Sequence, residues 1–182
     1  MARTNTEVLI GPGTLYVADV GTAFPVDPSV APAGAWADIG YSEEGWAFNV
    51  DRTVEEIEVA EELDPIDLQQ TKRDIHVVGA AAQASIDNFK TAMGGGTIVT
   101  AVGPPATKTY TPPATGVLDR KALLLRVLAP NGKTRDVQIP KVVSVSAINM
   151  EHKKAPAKSL LAIDFKIVKD AGVAPFTQID LT

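Results

Sequence analysis

Fourteen glycines and thirteen prolines punctuate this 182-residue chain, and between them lie short runs rich in Val, Ile, Leu and Thr. Proline removes a backbone donor and glycine weakens any regular element, so this punctuation marks turns between short elements. Short β-branched runs bounded by turn residues are what a β-sandwich or barrel is built from. The length suits one domain of roughly 100–200 residues, and 1–182 is read as a single domain. A composition 45% hydrophobic and 21% charged excludes wholesale disorder and collagen.

Several strands can be placed from pattern alone. Val8–Ile10 and Thr14–Asp19 are expected to form a hairpin across Gly11-Pro12-Gly13, and residues 22–35 hold too many prolines for a central strand. Trp46, Phe48 and Val50 share one face of a strand, with Ala47, Asn49 and Asp51 opposite. Lys72–Ala82 and Thr97–Val102 follow, the latter leading into a proline-rich connection through Pro104, Pro105, Pro112 and Pro113. A hairpin joins Ala122–Ala129 to Thr134–Ile139 through Asn131-Gly132. Val142–Met150 is apolar on Val143, Val145 and Ala147, then changes phase to Ile148 and Met150, which predicts a bulge. Leu160–Lys169 alternates most clearly, with Leu161, Ile163, Phe165 and Ile167 on one side. The single helix spans about residues 85–93: Ser85 is its N-cap, Asp87 lies in the first turn, and Ile86, Phe89 and Met93 form its apolar face before Gly94-Gly95-Gly96.

Catalytic chemistry is hard to find. With no cysteine there is no disulfide framework, thiolate metal site or cysteine nucleophile. Only His76 and His152 could serve as histidine ligands or bases, and His76, between Ile75 and Val77, reads as a structural histidine in a strand. Gly132-Lys133-Thr134 resembles the end of a phosphate loop, but the first glycine of that motif would fall at Val127, inside a strand, so it is a hairpin turn. Asp64 and Asp67 could join Glu61 or Glu62 around a hard cation, or serve a metal-dependent hydrolase together with His76, but the spacing lacks the mid-loop glycine of a calcium site. Five Phe, three Tyr and two Trp offer few platforms for carbohydrate. No catalytic, cofactor or metal site is assigned, and no enzyme is expected. No stretch approaches ~18 consecutive apolar residues, so membrane insertion is not expected. The polar residues of Met1–Ile10 do not suit a secretory signal, which points to a cytoplasmic site of synthesis.

Charge is the informative feature. Residues 1–103 carry 16 acidic and 5 basic side chains, residues 104–182 carry 6 and 12. Within 43–67, Glu43, Glu44, Asp51, Glu55, Glu56, Glu58, Glu61, Glu62, Asp64 and Asp67 face a single cation, Arg52. Val54, Ile57, Val59, Leu63, Ile66 and Leu68 are interleaved with them, too apolar a pattern for a merely solvated acidic tail.

The order of Trp36–Gly45 (WADIGYSEEG), the acidic Val54–Val59 with Leu63-Asp64-Pro65, and Thr71–Val77 (TKRDIHV) leading into the helix at Ser85–Met93 resembles the major tail tube protein of long-tailed, siphovirus-type bacteriophages. The likeness is strongest over Val8–Gly96; Gln83 departs from it where an acidic residue would be expected before the helix. The resemblance implies a mainly β, sandwich or barrel-like subunit with one flanking helix and an extended acidic loop or arm at 51–74. It implies hexameric rings stacked into a virion tail tube, a conduit for ejecting double-stranded DNA, assembled in the host cytoplasm. Implied partners are further copies of the chain and the terminator, tape measure and distal tail proteins, with DNA passing through unbound. A capsid decoration protein, or another small β-sandwich virion protein, is the alternative.

The residues fit that role on physical grounds. A ring of identical subunits needs two unlike, complementary patches per subunit, which acidic and basic halves would supply. Ile57, Val59, Leu63 and Ile66 are the candidate apolar contacts between subunits, and the ten carboxylates are candidates for the bore or for pairing with a neighbour's residues 104–182. Duplex DNA carries about one charge per 1.7 Å, so a conduit lined by lysines would hold its cargo where carboxylates let it slide.

Overall fold

The computed structural model describes residues 11–61, 63–128, 132–150 and 158–181. The strands are β1 (Gly13–Asp19), β2 (Ala37–Asp38), β3 (Ser42–Ile57), β4 (Asp67–Ala81), β5 (Thr97–Ala101), β6 (Thr107–Thr111), β7 (Arg120–Leu128), β8 (Thr134–Ser144), β9 (Leu161–Ile167) and β10 (Thr177–Asp180). The helix, α1, spans Ile86–Ala92. One antiparallel sheet runs in the order β2-β1-β7-β8-β9-β4-β3, with β10 added to β8, and β5 and β6 form a separate hairpin. Because β1 also packs against β3, the large sheet curls back toward itself.

Alternation along the strands decides what lies inside. Leu15, Leu123, Ile139, Leu161, Ile163 and Phe165 are buried together in the main core. Strand β7 is buried on both faces: Leu123 and Leu125 join that core, while Ala122 and Leu124 meet Ala18 and Trp36 in a second, smaller one. The cover of this second core is the proline-rich loop, which holds no strand, as its sequence dictates. Phe24 packs on Trp36 at 5.1 Å between ring centroids, and the Trp36 indole donates to the Ala23 carbonyl at 3.0 Å. Arg126 fixes the same loop by donating from Nη1 to Val30 O at 2.5 Å. Its Nε and Nη2 meanwhile form a bidentate pair with the fully buried Asp136, at 2.7 and 2.6 Å.

The helix forms as the sequence predicts. The Ser85 hydroxyl accepts from Asn88 N at 3.1 Å, and Ala92 and Phe89 pack toward the core. Two turns cannot hold themselves. The β5–β6 hairpin braces them, with Tyr110 edge-on to Phe89 at 5.3 Å and its hydroxyl donating to Gly95 O at 2.9 Å. At Gly96, with φ +102°, a Cβ would meet Thr111 O at 2.6 Å, so this turn requires glycine.

Several readings of the sequence need correction or completion. The proline-rich connection after β5 contains a strand, β6, whose alternating Thr-Lys-Thr-Tyr-Thr pairs with β5. The expected strand 142–150 is not separate: β8 runs unbroken from Thr134 to Ser144, and residues 145–150 are not strand. Its phase is also the reverse of that expected, since Val142 and Ser144 are buried and Val145 is exposed, with Ile148 and Met150 packing on the core. The bulge lies earlier in β8, where Pro140 and Lys141 together oppose Ala122 of β7 and a residue without an N–H can leave the ladder. The second long strand starts at Asp67, before the expected Lys72. The Val8–Ile10 strand, Ala129, Asn131 and His152 lie outside the described residues, although Gly132 of the expected turn has φ +79°.

Asp136→Ala leaves the Arg126 charge buried and unpaired, and is expected to lower unfolding free energy by about 3–5 kcal/mol in chemical denaturation. Replacing both, as Arg126→Met with Asp136→Leu, is expected to cost clearly less than the single change.

Candidate functional site

The longest strands, β3 and β4, pair along nearly their whole length, from Ser42↔Ala81 to Ile57↔Asp67. Near the body the hairpin belongs to the sheet. Phe48↔Val77 and Val50↔Ile75 face the core, and Phe48 meets Phe176 at 5.0 Å. Gly79 lets the Trp46 ring lie against the backbone, where a Cβ would come within 2.5 Å of the ring. Strand β9 supports β4 only over His76–Ala81. Beyond Asp74, among the described strands, the hairpin is a two-stranded ribbon, bulged between Thr53 and Val54 and closed near its tip by Ile66 N donating to Ile57 O at 2.9 Å.

The ribbon and its turn hold most of the sequence-predicted residues. Asp51, Glu55, Glu56, Glu58, Glu61, Asp64 and Asp67 are exposed there, and among the described residues none has an ion-pair partner. Glu62 lies outside the described residues. Of the apolar candidates, Leu63 is wholly exposed, Ile66 is 56% exposed, and Ile57 and Val59 lie at the edge of exposure. Val54 and Leu68, 51% and 62% exposed, lie lower on the ribbon and on the face opposite Ile57. Glu43 and Glu44 sit apart, at the root of β3, where Glu43 is ion-paired with Lys158 of its own chain.

Charge that looks segregated along the chain is partly neutralised within the subunit. Antiparallel pairing of β1 with β7 and of β4 with β9 brings acids of the first half against cations of the second. Asp19 meets Lys121 at 2.6 Å, and Asp87 meets Lys108 at 3.0 Å. Arg135 and Lys141 are paired with Asp180 and Asp170. Much of the basic half is therefore engaged inside the subunit, which leaves fewer cations for a neighbour's acidic cluster than the sequence suggested. The His76 ring lies 2.8 Å from Asp164 on β9, far down the hairpin from the turn that carries Asp64, so those residues do not form a common centre. Among the described residues no group of three or more His, Asp or Glu side chains is placed to hold a metal ion.

Sequence reasoning missed Asp74, which sits where the ribbon leaves the body. It accepts from Lys72 Nζ at 2.6 Å and from Lys166 Nζ at 2.9 Å, and these hydrogen bonds pull its carboxyl from 3.8 down to about 2. The alternation of Lys72, Asp74 and His76 on one face was visible, but the third strand that completes the group was not.

An exposed acidic and apolar ribbon on a β body, with no assembled catalytic or metal centre among the described residues, fits a subunit built for assembly. A family model described as phage tail tube protein matches residues 1–178. The chain belongs to the phage tail tube protein family. No curated protein matches it. The tail tube assignment makes it a structural, non-enzymatic component of the virion that assembles with itself and with other tail proteins. It sets aside the metal-dependent hydrolase and the capsid decoration protein. No helix among the described residues is long and apolar enough to cross a membrane.

Asp74 ties the tail tube subunit's stability to acid. Because its carboxyl titrates lower in the folded chain, the unfolded chain takes up the proton first. Stability from this group is full above pH 3.8 and is lost as pH falls toward about 2. Asp74→Asn is expected to flatten the fall of the urea midpoint across that window while lowering the midpoint at neutral pH.

Proposed function

We propose that this tail tube protein forms hexameric rings that stack into the hollow tube of a siphovirus-type tail, through which double-stranded DNA leaves the capsid. The β3–β4 hairpin, over residues 51–74, is the arm that reaches a neighbouring subunit. The observation that carries this reading is the ribbon itself: it extends past its supporting strand with Val54, Leu63, Ile66 and Leu68 exposed. Two strands alone are marginally stable in water, so such a ribbon is best accounted for by a surface that covers it in the assembly. Ile57, Val59, Leu63 and Ile66 would supply the burial, and charge would set the register.

Charge on the same arm suits a DNA conduit. Carboxylates without ion-pair partners among the described residues remain available to face a lumen, where they repel phosphate and prevent the counterion release that drives DNA binding. Part of the cluster from Glu43 to Asp67 lines or approaches the bore, and the rest meets neighbouring subunits. The terminator and distal tail proteins would close the two ends of the stack, with the tape measure protein inside it before DNA passes.

In negative-stain images the purified chain is expected to form rods or ring stacks with an open axis. Leu63→Asp and Ile57→Asp should each yield a folded subunit, with thermal midpoint within a few degrees of the parent, that forms no rods at concentrations where the parent does. Rods of ordinary length from both variants would remove the arm from the interface.

A further inference from the structure

The apolar tip does not account for one feature of the ribbon. Arg52 and Arg73 are direct cross-strand partners, and both are exposed. Side chains so placed have Cβ atoms about 5 Å apart, and like charges there weaken the pairing. The preceding rungs on the same face are Val50↔Ile75 and Phe48↔Val77, whose β4 members are buried core. The face that is apolar inside the body thus turns to two guanidinium groups at the first rung beyond it. The adjacent like-charged rung, Asp51↔Asp74, is relieved within the subunit by Lys72 and Lys166. Among the described residues, Arg52 and Arg73 have no ion pair.

Farther along β3 the same face continues with Val54 and then Glu56, which pairs with Leu68. Glu56 is four residues from Arg52, or about 13 Å along a strand, too far for the two side chains to meet in one hairpin. The stem of the ribbon therefore carries Arg52, Lys72 and Arg73, while the tip carries Glu56, Glu58, Glu61 and Asp64 with no cation.

We propose that Arg52 and Arg73 form a carboxylate clamp that receives the hairpin tip of a second copy of this chain, with Glu56, Glu58 and Glu61 as the incoming groups. The proposal rests on the reading of the hairpin as an intersubunit arm and names its register. Guanidinium forks bind carboxylates bidentately and lose their hydration more readily than ammonium groups, which suits arginine to a contact closed off from water. Val54 and Leu68, between stem and tip, would be covered by the same docking. Each hairpin has one basic and one acidic end, so every copy can give a tip and receive one. The head-to-tail arrangement that the ring reading requires takes a tip from one neighbour and gives one to another. Duplex DNA is the other polyanion within reach, but the carboxylates around the arginines oppose it.

Two charge-reversed chains test this register: R52E/R73E, acidic at stem and tip, and E56R/E58R, basic at both. Each alone, folded by circular dichroism and thermal midpoint, is expected to need at least about tenfold more protein than the parent to form rods. An equimolar mixture is expected to restore assembly, because the acidic tip of one then meets the basic stem of the other. R52E/R73E assembling like the parent, or a mixture of folded variants that stays dispersed, overturns the clamp while leaving the tube reading intact. Unchanged assembly of R52E/R73E with weakened retention of a duplex oligonucleotide also overturns it, in favour of phosphate. A parent chain that forms no rods at any concentration overturns the tube reading, and the clamp with it.

Discussion

The β3–β4 ladder continues after the sheet that supports it has ended. Inside the body β9 backs β4 from His76 to Ala81, and Val77, with Ile75 one residue past that support, is buried. Beyond Asp74 the backbone hydrogen bonds persist, but among the described strands none pairs with the ribbon to extend the sheet. Burial of apolar area is the main favourable term in holding strands together, and a two-stranded ribbon obtains little of it alone. That deficit is the physical reason for the proposal that a neighbouring copy covers the ribbon.

The body is organised to hold the base of this ribbon. Strand β7, buried on both faces, separates the main core from the smaller one roofed by the proline-rich loop. The buried Arg126–Asp136 pair joins two central strands and holds that roof by the Val30 carbonyl. At the hairpin root, Asp74 gathers Lys72 and Lys166 from two strands, tying the point where the ribbon leaves the sheet to β9.

The legible parts of the fold were those governed by local rules. The helix was readable because Ser85 offers a cap and three glycines end it, and β9 because Leu161, Ile163 and Phe165 alternate without interruption. The reading failed where neighbours decide. Thr107–Thr111 has few apolar residues and becomes a strand through pairing with β5 and contact between Tyr110 and Phe89. Residues 142–150 were assigned the wrong phase because Val145 is apolar yet exposed, and the polar Ser144 is buried, where its hydroxyl donates to Ala92 O at 2.5 Å. The acidic and apolar tip was found from composition alone, whereas Asp74 and the Arg52–Arg73 rung needed the cross-strand register.

The sequence by itself determined that this protein is built from β-strands with one short helix, that it lacks cysteine chemistry, and that carboxylates and apolar residues crowd one segment. Those properties follow from residue type, spacing and backbone preference, which act over a few residues. Only the tertiary structure decided that the segment is a ribbon reaching past its support, and that many opposite charges meet inside the subunit. It also decided that two arginines stand opposite each other on the ribbon. These depend on which strands become neighbours and in what register, and antiparallel pairing sets that between residues far apart in the chain.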